Sequence, residues 1–233
     1  MDRYNEHFLD ANILIGSILD WDNSHFDCSD YLDNCNSTKN VSERVYQECE
    51  TVLGRLRRVQ KNFIQELNEH IDNEGLTCSD GVIKNFTVSY ASKYHSYLKI
   101  TQDKLESILD EFVKHCHVEI SSSMSDYFVY LAFLSDIDHA FRDALTELNS
   151  YSNNSLITVH KFNITYDSIF PNLIDTLKNY EIHESDGKIL LDCQFLVVNI
   201  IKNNLGFITK DNAILKAKKD IETLLPGTHI FNI

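Results

Sequence analysis

The stretch that most constrains the fold is Phe8-Leu9-Asp10-Ala11-Asn12-Ile13-Leu14-Ile15-Gly16, an apolar run broken by one carboxylate and one amide. A short apolar run bounded by polar residues reads as a buried strand, with Asp10 at its carboxyl end as the chain turns into a helix. In open α/β sheets that edge is where ligands bind. A carboxylate there is costly unless it is hydrogen-bonded, paired or holding a cation. Three more acids stand as its candidate companions: Glu48, Asp192 and Asp211.

With 233 residues and 43% hydrophobic content, the chain is long for one ordinary domain and has enough apolar surface for a substantial core. The expectation is one domain carrying a large insertion. No apolar stretch is long enough to cross a bilayer, and Met1-Asp2-Arg3-Tyr4-Asn5-Glu6 lacks the basic and apolar blocks of a signal peptide, so a cytoplasmic protein without a membrane partner is expected. The six cysteines form no Cys-x-x-Cys pair, which argues against a zinc ribbon or a redox motif. A net charge of −14 argues against coating nucleic acid by bulk electrostatics. It leaves room for a local site, to which Arg55-Leu56-Arg57-Arg58 with Lys61, or Lys216-Ala217-Lys218-Lys219, could contribute, although a solvated helix face is the commoner use of such runs.

A short helix is expected over 12–21, then a polar loop over 22–40 with one short helix near 25–32. From Ser42 onward Val45, Cys49, Val52, Leu56, Val59, Phe63, Leu67 and Ile71 recur every three or four residues, which predicts one long amphipathic helix. Glu48 projects from its apolar stripe. Residues 75–150 contain no proline and read as an all-α insertion, with helices over 82–98, 101–116 and 125–150 and with Thr101 and Ser125 as N-caps. His115-Cys116-His117 within it is read as a helix end, because adjacent residues on a helix point to different faces. A linker is expected at 151–155, a strand at 156–162, and a helix over 167–180 with Pro171 in its first turn. Then follow an apolar helix over 189–201, a strand at 205–209, a helix over 212–224 and a strand at 228–231. Strands alternating with helices in this order imply an α/β fold with a parallel sheet.

Several acids converging in one cleft repel one another, and hard oxygen ligands suit Mg²⁺ or Mn²⁺. Such ions serve phosphodiester hydrolysis by orienting a water and stabilising the leaving oxygen. The sequences Leu9-Asp10-Ala11-Asn12-Ile13-Leu14, Val45-Tyr46-Gln47-Glu48, Leu191-Asp192-Cys193-Gln194-Phe195-Leu196 and Phe207-Ile208-Thr209-Lys210-Asp211-Asn212-Ala213-Ile214-Leu215, in this order, resemble the PIN-domain family. The resemblance covers about 3–58 and 156–233. It implies a three-layer α/β/α PIN-like fold with a central parallel sheet, formed by a discontinuous nuclease domain at 1–74 and 151–233 around the helical insertion at 75–150. It further implies an endoribonuclease acting on RNA through Mg²⁺ or Mn²⁺, with Asp10, Glu48, Asp192 and Asp211 as catalytic metal ligands. Asn12 and Thr209 take supporting roles. The family context is a toxin or an RNA-processing enzyme, with an inhibitory antitoxin or other protein partner and a homodimer as compatible assemblies.

Two of these places have rivals: Glu43 for Glu48, although its position at the helix start suits a capping role, and Asp186 for Asp192 near the start of the same helix. Singly, each acid also has a plain structural use. Asp10 and Asp211 suit N-caps, Asp192 a helix start and Glu48 an ion pair. Lys210 suits either a substrate phosphate or an exposed salt bridge. The alternative function is a catalytically inactive PIN-like protein that binds RNA or protein through its helical insertion. A phosphatase with Asp10 as nucleophile is weaker, because Asn12 stands where a second acid would help.

Overall fold

The computed structural model describes residues 4–98 and 100–233, with the backbone alone for Tyr97 and Leu98. Met1, Asp2 and Arg3, which enter the leader reading and the amino-terminal edge of the family resemblance, lie outside the described residues. The chain divides into two compact units: one comprises the described residues up to Asp20 with Ser24–Thr51 and Thr146–Ile233, the other Trp21–Asn23 with Val52–Leu145.

The first unit is built on a parallel sheet of five strands: β1 (Glu6–Leu9), β2 (Thr38–Ser42), β3 (Ile157–His160), β4 (Leu205–Ile208) and β5 (Thr228–Phe231), in the order β3-β2-β1-β4-β5. The protein is therefore mixed α/β with an all-parallel sheet. Phe8, Leu9, Val41, Phe207, Ile208 and Ile230 are sealed in its core. From β1 the chain moves outward to β2 and β3, then returns to lay β4 on the other side of β1. The order reverses between β1 and β4, so their carboxyl ends flank a topological switch point.

Strand β2 falls where a loop was expected, because Lys39, Asn40 and Ser42 give it no apolar run, and all three are buried. The side chains of Lys39 and Asn40 find local partners. Lys39 Nζ donates to the Cys35 carbonyl at 2.7 Å, and Asn40 Nδ2 donates to Glu6 at 2.7 Å and to the His7 carbonyl at 3.2 Å.

In chain order the helices are α1 (Ala11–Ile18), α2 (His25–Asn34) and α3 (Glu43–Glu74), the last crossing the boundary between the units. There follow α4 (Asp80–Leu98), α5 (Gln102–His115), α6 (His117–Ser123) and α7 (Tyr127–Asn153). Thr101 caps α5 by accepting from Lys104 N–H at 3.3 Å. The cap of α7 is Asp126 and not Ser125: its carboxylate accepts from the amides of Phe128 and Val129 at 2.8 and 3.3 Å. In the helical unit Trp21 packs edge-on to Phe112 and Phe141, while Arg57 and Lys61 each reach Asp138 at 2.7 Å. Half of the basic run at 55–61 is thus occupied structurally.

Helix α7 runs through most of the expected linker and ends near Ser155, which has φ of 58°. The expected helix over 167–180 is two short pieces, α8 (Tyr166–Ile169) and α9 (Leu173–Lys178). Pro171 has no N–H to continue a helix, and Asn172 turns left-handed at φ 65°. Helix α10 (Glu184–Leu196) starts five residues earlier than the apolar pattern suggested and loosens into one π turn at Val197–Ile201. The last expected helix is interrupted at Ala217, giving α11 (Asn212–Lys216) and α12 (Lys218–Leu224). No helix among the described residues is long and apolar enough to cross a membrane.

Candidate functional site

The carboxyl ends of β1 and β4 are tied together by side chains. Asp10 N–H continues the ladder to the Ile208 carbonyl at 3.0 Å, and its carboxylate caps α1 by accepting from Ala11 N–H at 2.8 Å. The second oxygen, Oδ2, accepts from Thr209 Oγ1 at 2.6 Å and from Asn12 Nδ2 at 2.8 Å. Asn12 Oδ1 in turn accepts from Lys210 N–H at 3.1 Å, and Thr209 Oγ1 accepts from Asp211 N–H at 2.9 Å. Asp211 caps α11 by accepting from the amides of Ala213 and Ile214 at 2.8 and 3.0 Å. Both strand-end acids are therefore N-caps, and Asn12 and Thr209 bind one to the loop that carries the other.

Asp10 is more than a cap. It is 4% exposed, and burial pushes its carboxyl up to about 7 against the lowering effect of the Thr209 and Ala11 hydrogen bonds. The charges of Asp186 and Glu48 push it further the same way. The start of α3 lies against the residue after Asp10, since the Cys49 thiol donates to the Ala11 carbonyl at 3.6 Å. Burial raises that thiol too, and the neighbouring charges of Glu48 and Asp10 add to the effect. Glu43, by contrast, is exposed and paired with Lys161 at 3.2 Å.

Asp192 occupies different surroundings. Tyr166 Oη donates to its Oδ1 at 2.5 Å, and Arg44 Nε lies 3.6 Å from its Oδ2. Burial raises this carboxyl, and the tyrosine and the guanidinium partly offset that. Six residues on a helix amount to a rotation of about 240° beyond a full turn, so Asp186 and Asp192 cannot face the same point. Asp186 is the acid of α10 whose charge bears on Asp10. Arg44 and Tyr166 were not singled out in the sequence. Arg44 had one usable signal, its place four residues before Glu48 on the same helical face, whereas Tyr166 lies outside any periodic pattern.

Among the described residues no group of three or more His, Cys, Asp or Glu side chains is placed to hold a metal ion. The donors around Asp10 nonetheless fit a hard dication in kind, being carboxylate oxygens whose mutual repulsion a cation would relieve. Mg²⁺ keeps several waters and needs only one or two protein carboxylates directly.

Nearby basic groups are largely occupied. Lys210 pairs with Asp27 at 2.7 Å. A cleft of about 690 Å³ is lined by Tyr166, Asp167, Asp175, Lys178, Glu184 and Lys188 among others. Lys178 reaches Asp175 and Glu184 at 3.4 and 3.1 Å, and Lys188 reaches Glu184 at 2.6 Å, so the cleft presents no surplus of positive charge. No family model, curated protein or solved structure matches the chain.

Proposed function

We propose that the chain is a PIN-like, metal-dependent endoribonuclease with a three-layer α/β/α nuclease domain. The observation that carries this reading is the environment of Asp10: a buried carboxylate at a topological switch point, held by Thr209 and Asn12 and raised to about 7 by burial with Asp186 and Glu48 adding to it. In this reading Asp10 would bind Mg²⁺ or Mn²⁺ directly, the charges of Glu48 and Asp186 would hold the ion's waters, and Asp211 borders the site through Thr209. The bound ion would supply charge neutralisation and water orientation for in-line attack on a phosphodiester. Thr209 and Asn12 fix Asp10, so the carboxylate needs little reorganisation as the ion arrives. Without a cation Asp10 keeps its proton for about half the time near neutrality, and ion binding releases that proton.

Incubation of single-stranded RNA with the chain and Mn²⁺ tests the reading. Cleavage is expected, with its loss in chelator and in Asp10→Asn, while the circular dichroism of the variant stays native. Full activity of Asp10→Asn, or of the native chain in excess chelator, overturns it. The alternative, an inactive PIN-like module binding RNA or protein, is favoured by the engagement of both Asp192 oxygens by protein side chains, Tyr166 Oη at one and Arg44 at the other. Metal binding without turnover would select that alternative.

A further inference from the structure

The same pairing that removes Asp192 from the carboxylate site holds a guanidinium beside it. We propose that Arg44 binds a phosphate of the RNA strand next to the cleaved one, with Asp192 and Tyr166 as its positioning residues; this rests on the nuclease reading above. Arg44 Nε donates to Tyr166 Oη at 3.1 Å and faces Asp192 Oδ2 at 3.6 Å, and the guanidinium lies over the Tyr166 ring, 5.2 Å from its centre. All these contacts engage Nε or the flat face. The two terminal amino groups make no hydrogen bond among the described residues, and 38% of the side chain remains exposed. What is left open is the paired N–H edge that matches two phosphate oxygens.

Position agrees with this use. Arg44 and Glu48 are four residues apart on α3, hence on one face and separated by about 6 Å of axial rise. Glu48 is in turn one of the charges that act on Asp10. The strand would therefore find a fixed cation one helical turn from the carboxylates that repel it. Asp192 is 2% exposed, so the anchor itself is shielded from solvent while its arginine is not. Lys161, Lys178, Lys188 and Lys210 are already paired with carboxylates, whereas Arg44 keeps hydrogen-bonding capacity to spare.

The test uses the full chain carrying Asp10→Asn, without metal, titrated with a fluorescent single-stranded RNA at several salt concentrations. Adding Arg44→Ala is expected to weaken binding about tenfold, as loss of a charged hydrogen bond does. It should also reduce the slope of log affinity against log salt by about 0.7, one phosphate contact on a single strand. Arg44→Lys keeps the charge and should keep the slope while losing affinity, and Tyr166→Phe should lose affinity with the slope unchanged. Unaltered affinity and slope in both Arg44 variants overturn the proposal, as does absence of RNA binding by the parent at low salt. Mn²⁺-dependent cleavage by the native chain decides the nuclease reading separately, so cleavage with unaffected Arg44 variants would remove only the arginine assignment.

Discussion

Thr209 donates its hydroxyl proton to Asp10 Oδ2 at 2.6 Å, joining two residues 199 positions apart at adjacent strand ends. Thr209 Oγ1 itself accepts from Asp211 N–H and from Asn12 Nδ2, so one hydroxyl serves three groups. Thr209→Val keeps the shape and removes all three bonds. The expected cost is about 2 kcal/mol of stability, because the buried partners lose a hydrogen bond they cannot replace with water. Asp10 should titrate higher in the variant, since the lost donor favoured its charged form. Chemical denaturation and an NMR titration of the labelled carboxyl would check both effects.

Asp10 also makes stability depend on pH in the direction opposite to that of a salt-bridged aspartate. From about pH 4 to about pH 7 the folded chain keeps a proton at Asp10 that the unfolded chain has released, so stability falls as pH rises. The rise from 3.8 to about 7 corresponds to about 4 kcal/mol lost once both states are ionised. Asp10→Asn carries no charge and should lack this loss, making the variant more stable than the native chain at pH 8 and nearly equal at pH 4. Mn²⁺ competes with the proton, so it should raise the native melting temperature more at pH 8 than at pH 5, and much less in the variant. Thermal unfolding of both chains at these pH values, with and without Mn²⁺, would measure it.

The parts of this arrangement that were legible in the sequence were those carried by apolar patterning. β1, β4 and β5 follow from short apolar runs that precede or follow helix patterns, and α3 from a stripe that repeats over eight positions. Strand β2 was hidden because a strand lying between β1 and β3 can bury Lys39, Asn40 and Ser42 when each has a local hydrogen-bond partner or a neighbouring strand to shield it. Asp10, Asn12 and Thr209 stood out by position relative to the strands. The choice between Asp186 and Asp192 was not legible in that way, since it depends on where α10 starts and how it is rotated. Tyr166 and Arg44, which determine what surrounds Asp192, come from a broken helix and a helix start, where periodicity carries little information.

Gly206 explains how a histidine fits in the middle of the sheet. It is the register partner of His7 across β1 and β4, and a Cβ built there would come within 2.8 Å of His7 Cδ2 and 3.4 Å of the Phe231 ring. The imidazole has little freedom to retreat, because its Nδ1 lies 2.6 Å from Tyr31 Oη and its ring stacks on that tyrosine. Gly206→Ala is therefore expected to destabilise the sheet by about 2 kcal/mol, the usual cost of overpacking. Pairing it with His7→Ala should recover part of that loss, and a double-mutant cycle by urea denaturation would show coupling between the two positions.

The two acids of α10 give a direct test of how the site is composed. Asp186 raises the Asp10 carboxyl through its charge, whereas Asp192 is held by Tyr166 and Arg44 about a third of a turn away around the helix. Asp186→Asn should lower the Asp10 titration and shift the fall in stability with pH to a lower range. It should also weaken Mn²⁺ binding, by about tenfold if the acid contributes as much as outer partners of metal sites commonly do. Asp192→Asn should leave the Asp10 titration and the metal affinity nearly unchanged, while removing the ion pair to Arg44. Calorimetric Mn²⁺ titrations of the two variants at pH 7.5 would separate them. A larger loss of affinity in Asp192→Asn than in Asp186→Asn would return Asp192 to the metal site and leave Asp186 as a surface charge at the helix start.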